Sequence, residues 1–156
     1  MIQKGLKMKR VIAILFLFAI FNCSIPKNHI QSFALENRKD RLETLQKYLI
    51  FKSEVLDAEY DIYDVNLNAE YTIPGATSRD YRIVLFLKKE DISKWLTDVT
   101  LTSFPESDLW REDLIQKSNR LKSLQLEKDY MTYKNSNKTI FYNQKHSILF
   151  IRINQN

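Results

Sequence analysis

The chain is poor in the residues that most often mark a chemical site: its 156 residues include one cysteine, two histidines, two glycines and three prolines. With Cys23 alone, neither an intramolecular disulfide nor a thiolate metal cage can form. Gly5 and Gly75 are too few for a glycine-rich phosphate loop, and no G-x-S-x-G turn is present to present a serine nucleophile. His29 and His146 have no second histidine or cysteine at ligand spacing, which argues against zinc. The expectation is a non-enzymatic protein with no metal, no cofactor and no catalytic residue.

Long hydrophobic runs are also lacking. The longest, Val11 to Phe21, has eleven residues, well short of the roughly 20 that cross a bilayer as a helix. It follows Lys4, Lys7, Lys9 and Arg10, with no acid among them. A basic start leading into a short apolar run is the layout of a secretory signal peptide, and Met8 offers a tighter start than Met1.

The run ends in Ile20-Phe21-Asn22-Cys23-Ser24, which resembles a lipobox. The resemblance implies a thioether-linked lipid on Cys23, cleavage just before it, and acylation of the new amine by a chain such as palmitate. Ile20 fits the aliphatic position; Asn22 departs from the usual small residue. Two other readings remain open: cleavage after Ser32-Phe33-Ala34, which would give a soluble secreted protein, and an uncleaved anchor. The lipoprotein reading is preferred because the sole cysteine sits where the apolar run ends. It divides the chain into a signal peptide (1–22), a lipidated cysteine with a tether containing Pro26 (23–35), and a single domain (36–156). The domain is expected to face the periplasm or the cell exterior.

The four basic residues of the signal supply most of the excess of 24 Lys plus Arg over 19 Asp plus Glu. From Cys23 onward the chain is therefore close to neutral, which argues against a nucleic-acid partner. The expected partners are the membrane, through the lipid, and an unknown protein or other envelope component.

Hydrophobic periodicity predicts the elements. Leu42, Leu45 and Leu49 recur at helical spacing, with Glu43 four before Lys47, so a helix is expected from about Glu36 to Phe51. A strand is expected from Val55 to Val65, and a long loop from Asn66 to Asp80 around Pro74-Gly75. The run from Tyr81 to Lys88 reads as a central strand, followed by a short helix capped by Asp91 with Ile92, Trp95 and Leu96 on one face. Trp110, Leu114, Leu121 and Leu124 suggest a helix near Glu106 to Leu121, with Pro105 suited to its first turn. YMTYKN, KTIFYNQ and SILFIRI, separated by short polar gaps, predict an antiparallel meander. The expected fold is α+β: an antiparallel sheet of about five strands, with an N-terminal helix and one or two further helices on one face.

Two segments are candidates for chemistry. Asp57, Glu59 and Asp61 share one face of a predicted strand, with Asp64 nearby. Such carboxylates can bind Ca²⁺ or share acid–base work in a cell-wall hydrolase; the plainer reading, preferred here, is a solvated strand face. In the loop from Ile73 to Arg82, the residues Arg79, Asp80, Tyr81 and Arg82 can contact a partner, or Arg and Asp can pair to tie the loop to its strand. An inhibitor or immunity protein is one version of the binding reading.

The span Asp57 to Trp95 resembles a recurring pattern in small bacterial lipoproteins: a D-x-E-Y strand, a P-G-x-x-S-x-D-Y-x-R-like loop, a hydrophobic strand and a short acidic helix ending in Trp. Pro74, Gly75, Ser78, Asp80, Tyr81, Arg82 and Trp95 carry the likeness. The loop lacks the glycines usual at its start, and Arg79 is a further departure. The resemblance implies no activity.

Overall fold

The computed structural model describes residues 29–64, 79–103, 109–126 and 129–155. In chain order these form β1 (His29–Gln31), a 3-10 turn (Ser32–Ala34), α1 (Arg38–Leu45), β2 (Val55–Asp64) and β3 (Arg79–Leu87). A second 3-10 turn (Lys89–Asp91) then leads into α2 (Ile92–Trp95), β4 (Thr100–Thr102), α3 (Leu109–Lys117) and α4 (Asn119–Ser123). The meander β5 (Met131–Lys134), β6 (Lys138–Asn143) and β7 (Ile148–Gln155) follows. All seven strands lie in one sheet, ordered β1-β2-β3-β7-β6-β5-β4 and antiparallel at each pairing. The class is α+β, with seven strands where about five were expected. The two that periodicity missed, β1 and β4, have three residues each, too few for an alternation of period two to register.

Alternation sorts the central strands into two cores. Ile83 and Leu85 of β3, with Leu149 and Ile151 of β7, pack in a first core beneath Leu45 of α1 and Ile92 and Trp95 of α2. Val84 of β3 and Ile148 and Phe150 of β7 face the other way, into a second core closed by Trp110, Leu114 and Leu121 of α3 and α4. Helices thus cover both faces, correcting the expectation of one. The near-continuous apolar runs of β3 and β7 agree with this, because a strand buried on both sides has no polar face. Phe150 and Leu149 are fully buried, and a side chain of that size contributes roughly 1.5–3 kcal/mol on burial.

The helices are shorter than periodicity suggested. The Asn37 side chain accepts the Lys39 N–H at 2.8 Å and starts α1, which ends at Leu45 with tight turns on to Tyr48. Leu42 and Leu49 still pack on the first core, whereas Glu43 pairs with Lys39 rather than Lys47. Asp91 makes no side-chain cap and pairs with Lys94 at 2.7 Å. The single helix expected near 106–121 is two: α3 stops at Lys117, and the Ser118 hydroxyl accepts the Leu121 N–H to start α4. Pro105 and Glu106 lie outside the described residues.

The scarcity of glycine has a backbone consequence. Gln125, just after α4, and Ser147, in the β6–β7 turn, take positive φ of 46° and 52°, a conformation that costs a residue with a Cβ about 1–2 kcal/mol. Asn135 closes the β5–β6 turn instead through its side chain, which accepts the N–H groups of Asn137 and Lys138.

The segment expected as tether also differs. Residues 29–34 belong to the domain: β1 pairs with β2, and Ser32 is fully buried. Cys23, Asn22, Pro26, the signal segment and the Pro74-Gly75 turn lie outside the described residues. No helix among the described residues is long and apolar enough to cross a membrane.

Candidate binding site

Strand β2 carries Asp57, Glu59 and Asp61 on the second-core face and Asp64 on the first-core face, and the structure buries all four. Asp57, Glu59, Asp61 and Asp64 are each 5–6% exposed, so the solvated strand face is overturned. The reason is tertiary. Register places Asp57 beside Phe86, Glu59 beside Val84 and Asp61 beside Arg82 of β3, and α3 and α4 lie over that face. A register shift between Val55 and Asp57 leaves Leu56 partly exposed as the ladder resumes at Asp57.

Each buried acid has its own partners. Arg41 of α1 grips Asp57 through Nε and Nη2 at 2.9–3.2 Å, while its Nη1 donates to the carbonyls of Leu35 and Glu36, both at 2.9 Å. Arg120 of α4 donates to the same carboxylate and stacks over the Phe86 ring. Helices from the two cores thus meet at one acid. Burial alone would raise the Asp57 carboxyl; the hydrogen bonds from Arg41 and Arg120 and from the Ala58 N–H outweigh it and hold it below the usual range. Glu59 accepts from the Ser32 hydroxyl at 2.5 Å, and the same hydroxyl accepts the Tyr60 N–H at 2.8 Å.

Asp61 has a different setting. Its carboxylate is hydrogen-bonded to His29, to Gln31 at 3.2 Å and to Lys117 of α3 at 3.0 Å. Burial again opposes ionisation, and these donors again prevail, lowering its pKa. Lys117 also pairs with Asp113 at 2.7 Å, Asp113 with Arg82 at 3.4 Å, Arg82 with Asp80 at 2.8 Å and Asp80 with Arg152 at 2.9 Å. Acids and bases alternate along this path across β1, β2, β3 and β7, with α3 above. Burial would lower the Lys117 pKa; its two carboxylate partners raise it. The path borders a concavity of about 300 Å³ lined by His29, Asp61, Tyr63, Asp80, Arg82 and Lys117, at the small end of ligand-sized pockets.

The four residues expected to form a partner-binding loop are part of β3. Alternation sends Asp80 and Arg82 to the concavity, whereas Tyr81 and Arg79 face the first core. The Tyr81 hydroxyl donates to Asp64 at 2.6 Å, and the Arg79 guanidinium pairs with the same carboxylate at 3.2 Å. Burial, then the Asp64 hydrogen bond, push the Tyr81 hydroxyl up to about 12. These four residues therefore do not form one surface, and the pairing of Arg79 with Asp64 fits the alternative that an Arg–Asp pair ties this segment down.

The calcium reading of the acid row finds its oxygens already engaged by Arg, Lys, His, Gln and Ser, and no group of three or more His, Cys, Asp or Glu among the described residues is arranged to hold a metal ion. Sequence reasoning missed Arg41, Lys117 and Arg120. One signal was present: Arg41 lies four residues before Leu45, on the apolar stripe of its helix. His29, assigned to the tether, and Asp113 gave none. No protein-family model, no curated protein and no solved structure matches the chain.

Proposed function

We propose that this protein is a membrane-anchored lipoprotein of the bacterial cell envelope, lipidated on Cys23, whose domain acts as a non-enzymatic binding module. One observation carries the reading: His29 to Ala34, upstream of the second candidate cleavage site, are part of the folded domain. A cut after Ala34 would remove β1 and Ser32, and with them the His29 and Gln31 partners of Asp61 and the Ser32 partner of Glu59. Loss of these hydrogen bonds together with the β1–β2 pairing destabilises the domain by several kcal/mol. A cut before Cys23 keeps every one of these contacts. It also leaves His29 six residues from the lipid, a reach of at most about 20 Å.

The binding role is supported by the concavity, whose charged lining side chains are held in ion pairs. The hydrolase alternative needs a carboxyl that is protonated near neutral pH to act as general acid. Asp57 and Asp61 are shifted the other way, which favours binding. In the inhibitor or immunity version, Arg82 is the residue to test for partner capture, because Arg79 serves the fold through Asp64.

Cellular fractionation with N-terminal mass spectrometry tests the anchor. The expected product begins at an acylated Cys23, and Cys23→Ala moves the protein to the soluble fraction. A mature protein beginning at Leu35 would overturn the reading.

A further inference from the structure

The charges around the concavity balance. Asp61 and Asp80 stand against Arg82 and Lys117, with His29 beside them and Tyr63, 40% exposed, on the wall. A net anion or net cation entering this space would leave one sign of charge without compensation; a ligand carrying both signs would not. The donors retain capacity. Lys117 gives two of its three N–H groups to Asp61 and Asp113, and the Arg82 bond to Asp113 is long at 3.4 Å. Guanidinium and ammonium groups together suit a phosphate, while an exposed tyrosine ring that sits opposite Asp80 on β3 and two residues from Asp61 on β2 suits an ammonium.

We propose that the concavity lined by His29, Asp61, Tyr63, Asp80, Arg82 and Lys117 binds a zwitterion that joins an ammonium to a singly charged phosphodiester, the chemistry of an esterified phosphoethanolamine. Arg82 and Lys117 hold the phosphate, and the Tyr63 ring faces the ammonium, with the negative charges of Asp61 and Asp80 beside it. The proposal deepens the binding-module reading of this site and does not depend on the lipid. A phospholipid headgroup and a phosphoethanolamine substituent on an envelope glycan share this chemistry.

The test titrates the Cys23→Ala protein, which carries the whole domain, with glycerophosphoethanolamine, inorganic phosphate and ethanolamine, followed by calorimetry or NMR. Glycerophosphoethanolamine is expected to bind at least tenfold more tightly than either fragment. Arg82→Ala should weaken it about tenfold or more. Tyr63→Ala, at an exposed position outside the ion-pair path, should weaken it several-fold with an unchanged melting temperature. Equal affinity for inorganic phosphate, no binding of any probe, or full affinity in folded Tyr63→Ala and Arg82→Ala proteins would each overturn the proposal. Co-sedimentation with vesicles then separates the sources. Preference for phosphatidylethanolamine over phosphatidylglycerol supports a bilayer headgroup; solution binding without that preference supports a soluble or glycan-linked ligand. A wild-type protein that stays on membranes through Cys23, while its Cys23→Ala form binds no probe, refutes the zwitterion site and leaves the anchor standing.

Discussion

Asp57 and Asp61 lie four residues apart on one face of β2 and are equally buried, yet their surroundings differ in kind. Asp57 sits in a clamp between the buried Arg41 and the partly exposed Arg120, which stacks on Phe86. Asp61 borders the concavity, and its partners His29 and Lys117 are themselves part of that wall. The contrast shows how one strand pattern can serve two ends. A buried acid clasped by arginines from two separate helices joins those elements together; one whose partners line a concavity remains able to meet a ligand.

The largest effect expected is at the clamp. Asp57→Ala leaves the buried Arg41 and the partly buried Arg120 without their shared counter-charge, and a loss of about 3–5 kcal/mol is expected in urea unfolding. A change below about 1 kcal/mol would place the two acids in one class and erase the contrast. Asp61→Asn preserves size and part of the hydrogen bonding, and Lys117 is more than a third exposed and keeps Asp113. About 1–2 kcal/mol is therefore expected.

Both acids predict the same pH behaviour. Their folded pKa values lie below the unfolded value near 4, so their stabilisation is complete above that value and lost as pH falls through the folded values. Melting temperature should vary little from these groups between about pH 5 and 8 and should fall below about pH 4, with the acid limb shallower in Asp57→Ala.

The smallest effect is at Asp98, which pairs with Lys52 and Lys138 on the surface. Burial would raise its carboxyl, but the two lysines lower it to about 2. Its side chain is 43% exposed, and solvent screening discounts that shift heavily. Asp98→Ala should cost no more than about 1 kcal/mol, a share present above pH 4 and lost toward pH 2. A larger loss would mean that exposure is the wrong measure for ranking these acids.

Much of the sheet could be read from periodicity. The meander of β5, β6 and β7 and the central strand β3 stand where alternation and apolar content place them, because strands of four or more residues between polar turns leave a local signature. Trp110, Leu114 and Leu121 fall on a buried helical face as expected, although the helix divides at Ser118. The acid face of β2 was read as solvated for a local reason: in isolation, D-x-E-x-D resembles an exposed edge. A cue lay in the neighbouring strand, since the unbroken run IVLFL in β3 implies cover on both faces, and that cover extends over β2.

From the sequence alone come the class, the short apolar segment before the sole cysteine, the near-neutral charge beyond it, and the helical and strand stripes, all of which depend on residues near one another in the chain. Only the tertiary structure decided which acids are buried, that Arg41 and Arg120 converge on Asp57, and that His29 joins Asp61 across 32 positions. Those pairings depend on strand order and register, which bring distant side chains within reach, and no local pattern in the chain encodes that distance.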